Sequence, residues 1–240
     1  CMGAVLHALN LRLSLDDLAW IVEDAGDAVI LADPDNAEMA CAIAARVNCV
    51  REVVIAEPED DWPELESYDP GHAWPELDEH WPMGICHTSG TTGRPRGVVY
   101  SHRSTWLHTI LISLPDVMGL GWRDRVLNVV PMFHALSWGM PYAACMLGSD
   151  QILPGARPHA SDLLELVHHE GATVAAGVPT IWASVQTAIQ NEPERWEVGT
   201  LQRILCGGGR APRELRDWYQ AKLGVTVHRS WGMTELNPVG

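Results

Sequence analysis

Short apolar runs alternate with amphipathic helical segments along most of the chain. Ser14 followed by Asp17 makes a helix N-cap with an acidic first turn, and the pattern runs through Ala19–Val22 to a stop at Gly26. Serine accepts from the orphan N–H groups of a first turn, and glycine tolerates the left-handed exit. Ala28–Ala32 then reads as a short strand, Asn36–Val47 as a helix and Glu52–Ala56 as a second strand. The alternation resumes further on. Val126–Val130 and Gln151–Leu153 read as strands, Ser161–Glu170 as a helix closed by Gly171, and Thr173–Ala176 as a strand. Pro179–Ile189 follows as a helix, Gln202–Cys206 as a strand, and Arg213–Leu223 as a helix between Pro212 at its first turn and Gly224 beyond its last. Val225–His228 is the last strand and runs into Ser230–Glu235. Such an order predicts βαβ units, hence an α/β fold with mostly parallel sheets.

Two stretches, Val126–Ser149 and Gly171–Asn191, contain no Asp, Glu, Lys or Arg. Each is long enough to raise a membrane-spanning helix. Pro131, His134 and Pro141 interrupt the first, however, and Gly177, Pro179 and two glutamines interrupt the second. We therefore expect no transmembrane segment, and read both as buried core or the wall of an apolar pocket. Residues 57–82 break the rhythm with Pro, Trp and acids and read as a surface connection. Ten of the acids fall in Glu57–Glu79, and no Arg or Lys occurs between Glu52 and Gly93.

The 240 residues leave room for one large α/β domain or two small ones. Hydrophobic residues make up 47% and charged residues 20%, which excludes disordered and fibrous classes. A net charge of −15 argues against a nucleic-acid or anionic-membrane coat. The six cysteines form no CxxC pair, so a reducing, cytoplasmic setting is expected. The chain starts at Cys1 and stops at Gly240 within a motif, and we read it as a piece of a longer protein.

The chemistry concentrates in Ile85–Ser104, ICHTSGTTGRPRGVVYSHRS. Thr88, Ser89, Thr91 and Thr92 set four hydroxyls among Gly90, Gly93 and Gly97, with Arg94 and Arg96 alongside. Glycines let backbone N–H groups approach a ligand, hydroxyls add donors, and guanidinium groups add charge, which together make a phosphate cradle. Neither a Walker A loop nor a G-x-G-x-x-G fingerprint is present. An ordinary Gly/Thr turn between strands has the same composition, so this stretch alone leaves both readings open. Ser89 lies in no G-x-S-x-G elbow. Cys86 falls in a strand, where packing is the expectation, and the His168–His169 pair ends a helix at the surface.

Taken with three further blocks, that stretch resembles the adenylate-forming superfamily of acyl-CoA synthetases, luciferases and peptide-synthetase adenylation domains. TSGTTGRPRG is similar to its phosphate-loop signature, and VPMFHALSWGMPY (Val130–Tyr142) to the block lining its carboxylic-acid site. GGGRAP (Gly207–Pro212) resembles the Gly-rich turn beside adenine, and SWGMTE (Ser230–Glu235) the adenine and metal block. His134 follows Phe133 where amino-acid-activating members usually have Asp, so no counter-ion for a substrate ammonium is offered. The resemblance is closest to medium- and long-chain fatty-acyl-CoA synthetases.

That resemblance implies layered parallel βαβ subdomains of a large N-terminal domain, incomplete at both ends. On it, residues 1–56 form a βαβ segment, 57–82 the acidic connection and 83–240 the phosphate-loop, acyl-site and adenine-site subdomain. It implies ATP, Mg²⁺ and coenzyme A, a fatty acid as substrate, and leaves a homodimer open. Thr88, Ser89, Gly90, Thr91, Thr92, Gly93 and Arg96 would bind the phosphates, and Thr88 and Glu235 the metal. Gly208, Gly209, Arg210, Trp231, Gly232, Met233 and Thr234 would hold the adenylate, with Thr88, His134, Thr234 and Glu235 catalytic. His134, Trp138 and Gly177, Val178, Pro179, Thr180 would line the acyl site. Arg96 stands where the family usually has Lys, and Trp231 where it has Tyr. The implied lid domain with its Lys is not in the chain, and Lys222, in an earlier helix, does not replace it. An aryl- or short-chain-acid ligase and a non-catalytic nucleotide-binding module remain the alternatives.

Overall fold

The hydroxyl of Ser14 accepts from the Asp17 amide at 3.2 Å, and Gly26 leaves the same helix at φ 70°. Both caps stand where the pattern places them. The computed structural model describes residues 2–56, 73–88 and 93–237, and two compact units divide the chain after His102. The expected 57–82 connection falls mostly outside the described residues.

The first unit holds β1 (Leu6–His7), α1 (Leu15–Ala25), β2 (Val29–Ala32), α2 (Ala37–Ala44), β3 (Glu52–Ile55), β4 (Pro82–Thr88) and β5 (Arg96–Ser101). β2 and β3 pair in parallel, and Leu18, Ile21, Val22, Ile30, Ala40 and Ile43 form the core beneath them. β1 pairs in parallel with β4, which turns back antiparallel into β5, with His87 opposite Gly97 and Thr88 opposite Arg96. The predicted helix Asn36–Val47 is shorter: Pro34–Asn36 forms a 3₁₀ turn capped by Asp33, and α2 ends at Ala44.

A helix that begins at the division, α3 (His102–Ser113), leads into the second unit. There follow β6 (Arg125–Leu127), α4 (Met140–Leu147), β7 (Asp150–Ile152), α5 (Ala160–Glu170), β8 (Val174–Gly177) and α6 (Pro179–Asn191). β9 (Arg203–Cys206), α7 (Arg213–Leu223) and β10 (Thr226–Arg229) complete it, before a 3₁₀ turn at Thr234–Leu236. The five strands run in the order β10-β9-β8-β6-β7, every pair parallel, as the βαβ rhythm requires. Leu127, Leu163, Leu164, Trp182, Ile204 and Tyr219 sit in its core, where the Tyr219 hydroxyl donates to the Trp182 carbonyl at 2.8 Å. Leu127 and Val129 of the first charge-free stretch and Ala172, Ala175, Trp182, Val185 and Ile189 of the second belong to this core. Pro212 takes the N-cap position of α7, one residue before the first turn.

Helix α3 inverts the usual pattern. Thr105, His108, Thr109 and Ile112 are buried while Trp106, Leu107, Ile110 and Leu111 are exposed. Threonine hydroxyls can be buried this way because they bond within the helix: Thr109 Oγ1 donates to the Thr105 carbonyl at 2.7 Å. At the N-terminal edge of the sheet, Arg203 bonds Asp124 at 2.7 Å and the carbonyls of Met118 and Gly119 at 2.8 and 3.0 Å. Asp124 also accepts from the Thr173 hydroxyl and the Gly121 amide, both at 2.8 Å. The pair joins three strand beginnings and leaves the opposite edge free for chemistry. No helix among the described residues is long and apolar enough to cross a membrane.

Candidate functional site at the carboxyl edge of the parallel sheet

In an open parallel sheet, ligands collect where the strands end, because the following loops and helix N-termini converge there. Four of the sequence blocks lie at that edge in the second unit. Val130–Tyr142 follows β6, Gly177–Thr180 closes β8 and opens α6, Gly207–Pro212 follows β9, and Ser230–Glu235 follows β10. The Gly207 amide donates to the Gly177 carbonyl at 3.2 Å and the Ser230 amide to the Cys206 carbonyl at 3.0 Å, so the strand ends stay in register into the loops.

Three blocks meet at the glycines after β9. A Cβ on Gly207 would stand 2.5 Å from Ser230 Oγ and 3.0 Å from the Trp138 ring. One on Gly208, at φ 70°, would stand 3.0 Å from Val178 Cγ1 and 3.6 Å from Trp138 Cζ2, and one on Gly209 3.7 Å from the Pro179 ring. Glycine is thus required at 207 and 208 for Trp138 and the segment opening α6 to close on the turn after β9. Gly208, Gly209 and Arg210 are exposed along its rim.

Trp138 reaches this position through an uncommon backbone. Ala135, Leu136, Ser137 and Trp138 form one left-handed turn, with φ between 46° and 56°, and Gly139, also left-handed at φ 74°, caps the right-handed helix α4 that begins at Met140. Each such residue costs roughly 1–2 kcal/mol, so surrounding contacts must hold the turn. The Ser137 hydroxyl donates to the Val130 carbonyl at 2.6 Å, and all four side chains are buried. Gly139 lies against His108, whose Nδ1 would be 2.6 Å from a Cβ there. Burial holds His108 down to about 4, so this ring is neutral at pH 7. His134 precedes the turn with its ring exposed and 4.7 Å from that of Phe133.

The last block presents rather than buries its groups. Trp231 is 69% exposed, Met233 44%, and Gly232 and Glu235 are exposed as well. Thr234 starts the 3₁₀ turn, which ends at Asn237 in the left-handed region; the Asn237 side-chain Nδ2 donates to the hydroxyls of Ser104 and Thr105 at 3.3 and 3.4 Å. Those two bonds moor the block to α3.

In the first unit, the described parts of the phosphate-loop stretch are the end of β4 and the residues leading into β5. Ser89, Gly90, Thr91 and Thr92 lie outside the described residues. Thr88 ends β4 with its hydroxyl 3.4 Å from the Arg96 carbonyl, and Gly93 follows at φ 147°. Arg96 is exposed at the start of β5. Arg94, grouped with the phosphate charges by sequence, has its guanidinium 5.3 Å from the Trp20 ring centroid.

One cluster beside this loop has no counterpart in the sequence reading. His7 Nδ1 lies 2.7 Å from Asp27 Oδ2, His7 Nε2 3.0 Å from His87 Nδ1, and His87 Nε2 3.3 Å from Asp24 Oδ2. Burial pushes the His87 pKa down, while its bond to Asp24 opposes that. The adjacency of His87 to Thr88 is its sole trace in the sequence. Other candidates resolve simply: burial raises the Cys206 thiol to about 11, and Cys86 is buried within β4. His168 and His169 pair with Glu197 at 3.7 Å and Glu165 at 3.0 Å. Among the described residues no cluster of three or more His, Cys, Asp or Glu can hold a metal.

The family model described as AMP-binding enzyme matches residues 1–240. The chain belongs to the AMP-binding enzyme family. A long-chain-fatty-acid–CoA ligase of Thermus thermophilus is 40% identical over 241 residues, covering 99% of this AMP-binding chain and 44% of the relative. A medium-chain-fatty-acid–CoA ligase of Ectopseudomonas oleovorans is 36% identical, with 99% and 45% covered. The chain thus spans about half the length of the curated relatives it matches. Among solved structures, the inhibitor-bound N-terminal domain of FACL13 from Mycobacterium tuberculosis superposes with a TM-score of 0.78 at 26% identity. That match covers 96% of this chain and 56% of the other. The parallel α/β architecture of this AMP-binding chain is therefore the one its relatives' N-terminal domain carries.

Proposed function

We propose that this chain is the acid- and nucleotide-binding part of a fatty-acid–CoA ligase that forms AMP. The observation that carries the reading is the convergence of Trp138, Val178 and Pro179 on Gly207–Gly209 at the carboxyl edge of one parallel sheet. The names of the two ligase relatives support a fatty acid as the substrate. An alkyl chain needs apolar surroundings worth about 0.8 kcal/mol per CH₂ buried, and Trp138, Val178 and Pro179 are apolar side chains of that kind.

The reaction has two halves. A carboxylate oxygen attacks the α-phosphorus of ATP, and the bond to pyrophosphate breaks to leave an acyl-adenylate. The coenzyme A thiol then attacks the acyl carbon, loses its proton, and releases AMP. The acid needs no general base in the first half, being ionised at neutral pH. Catalysis there consists of aligning two anions and neutralising their repulsion.

The resemblance of the sequence blocks to those of the family supports the following roles. Thr88–Gly93 and Arg96 hold the outer phosphates, Trp231 stacks its exposed indole on adenine, and Gly208–Arg210 pass its edge. His134, exposed before the left-handed turn, faces the carboxylate and the adenylate, with Thr234 near the α-phosphate. Thr88 and Glu235 offer hard oxygen donors of the kind Mg²⁺ takes, so these two would hold it. When bound, it would supply positive charge against the phosphates.

The test is pyrophosphate release by the intact gene product with ATP and carboxylic acids of graded length. Turnover is expected to rise from butanoate towards decanoate and longer acids. Turnover confined to aryl acids or to butanoate and shorter overturns the fatty-acid reading, and none with any acid overturns the ligase reading.

A further inference from the structure

Both described feet of the phosphate loop rest on one helix. On the near side, His87, the residue before Thr88, bonds Asp24 on α1 at 3.3 Å and meets the edge of Trp20 at a ring distance of 6.2 Å. On the far side, Arg94, the residue after Gly93, lies over the same Trp20 ring at 5.3 Å. One indole on α1 therefore contacts the chain as it enters the loop and again as it leaves.

The near foot has a second tie. His87 Nδ1 and His7 Nε2 are 3.0 Å apart, and His7 is held in turn by Asp27 just past the end of α1 at 2.7 Å. Three bonds run through two imidazoles, and all are made when the rings share three N–H groups. The side chains of His7 and His87 are only 4% and 2% exposed, so a broken bond would leave a buried polar atom without water. The ladder partner of His87 is Gly97, the last glycine of the loop signature. A Cβ there would stand 3.1 Å from His87 Nε2 and 2.9 Å from Ile85 Cδ1. That glycine thus leaves room for the histidine ring that joins β4 to α1.

We propose that Trp20, His7 and His87 are positioning residues: they anchor both feet of the loop to α1 and so set the affinity for ATP. The inference rests on the reading that residues 88–93 hold phosphate. None of the three residues needs to touch the nucleotide. Their effect passes through Thr88 on one side and through Gly93 and Arg94 on the other. A rigid cradle pays its ordering entropy on folding, and a loosened one pays it on binding.

The experiment compares Trp20→Ala, Trp20→Phe, His87→Ala and His87→Asn in the intact gene product. The readouts are KM for ATP, KM for decanoate, melting temperature and amide exchange in β4 and β5. Loss of the cation–π and edge contacts in Trp20→Ala, or of the His7 bond in His87→Ala, is expected to raise KM for ATP about tenfold. KM for decanoate should stay within about twofold of wild type, and amide exchange in β4 and β5 should quicken. Trp20→Phe keeps a ring for Arg94 and His87→Asn keeps a partner for His7, so each should restore most of the ATP affinity. A rise in both KM values together, or failure of the conservative variants to rescue a folded protein, overturns the positioning role. Wild type that binds no ATP overturns the phosphate reading instead. In that case unchanged exchange in Trp20→Ala overturns the anchoring as well, and quickened exchange upholds it.

Discussion

Trp138 and Gly207 lie 69 residues apart in two different sequence blocks, yet a Cβ on the glycine would stand 3.0 Å from the indole. That separation is shorter than a relaxed carbon–carbon contact, and Ser230 Oγ closes the other side at 2.5 Å. Gly207→Ala must therefore displace Trp138, Ser230 or both. Overpacking of this kind costs about 1–3 kcal/mol, and kcat/KM for decanoate should fall at least about tenfold. Thermal unfolding and steady-state kinetics check the two parts. In Gly209→Ala, whose new methyl meets only Pro179 at 3.7 Å, folded stability should stay within about 0.5 kcal/mol of wild type.

Trp231 stands 69% exposed at the end of β10. Stacking on a base is worth about 1–3 kcal/mol by alanine substitution, so Trp231→Ala should weaken AMP binding roughly tenfold. Trp231→Tyr should retain most of it. Calorimetric titration of AMP into the two variants decides; equal affinity in Trp231→Ala and wild type removes the residue from the adenine site.

At the other edge of the same sheet, Asp124 and Arg203 are 11% and 17% exposed. Asp124→Ala leaves the guanidinium half-satisfied beside two carbonyls and strips the Gly121 amide and the Thr173 hydroxyl of their acceptor. Breaking such a pair costs about 3 kcal/mol, visible as a lower midpoint in urea unfolding. KM for ATP in the folded fraction should not change, because this edge faces away from the loops that carry the candidate site.

His108 gives the second unit a stability that depends on pH. Its native pKa is held down to about 4, below the ordinary 6.5, so the unfolded chain binds the proton first as pH falls. Stability is full above pH 6.5 and is lost progressively between pH 6.5 and about 4, by up to about 3 kcal/mol. Urea midpoints across that range should fall more steeply in wild type than in His108→Gln.

The parallel sheet was legible because helix caps and strand ends are written locally. Ser14, Gly26, Gly171 and Gly224 stop and start elements through their own backbone preferences, and the structure keeps all four. Helix α3 was not legible, since it buries threonines and a histidine and exposes Trp106 and Leu111, the reverse of the pattern that reveals a helix. The left-handed turn at Ala135–Trp138 contains no glycine to announce it. The motifs named the glycines at 207–209, but their packing against Trp138 and Val178 depends on tertiary contact that no spacing encodes. The same holds for His7 and His87, which are adjacent strand residues in space and 80 apart in sequence.

Isotope exchange between pyrophosphate and ATP, measured with and without decanoate and without coenzyme A, tests the proposed first half-reaction most directly. The geometry predicts exchange that requires the acid, saturates with it, and falls at least about tenfold in Gly207→Ala. Exchange indifferent to the acid, or its absence in a protein that binds both ATP and decanoate, would contradict it.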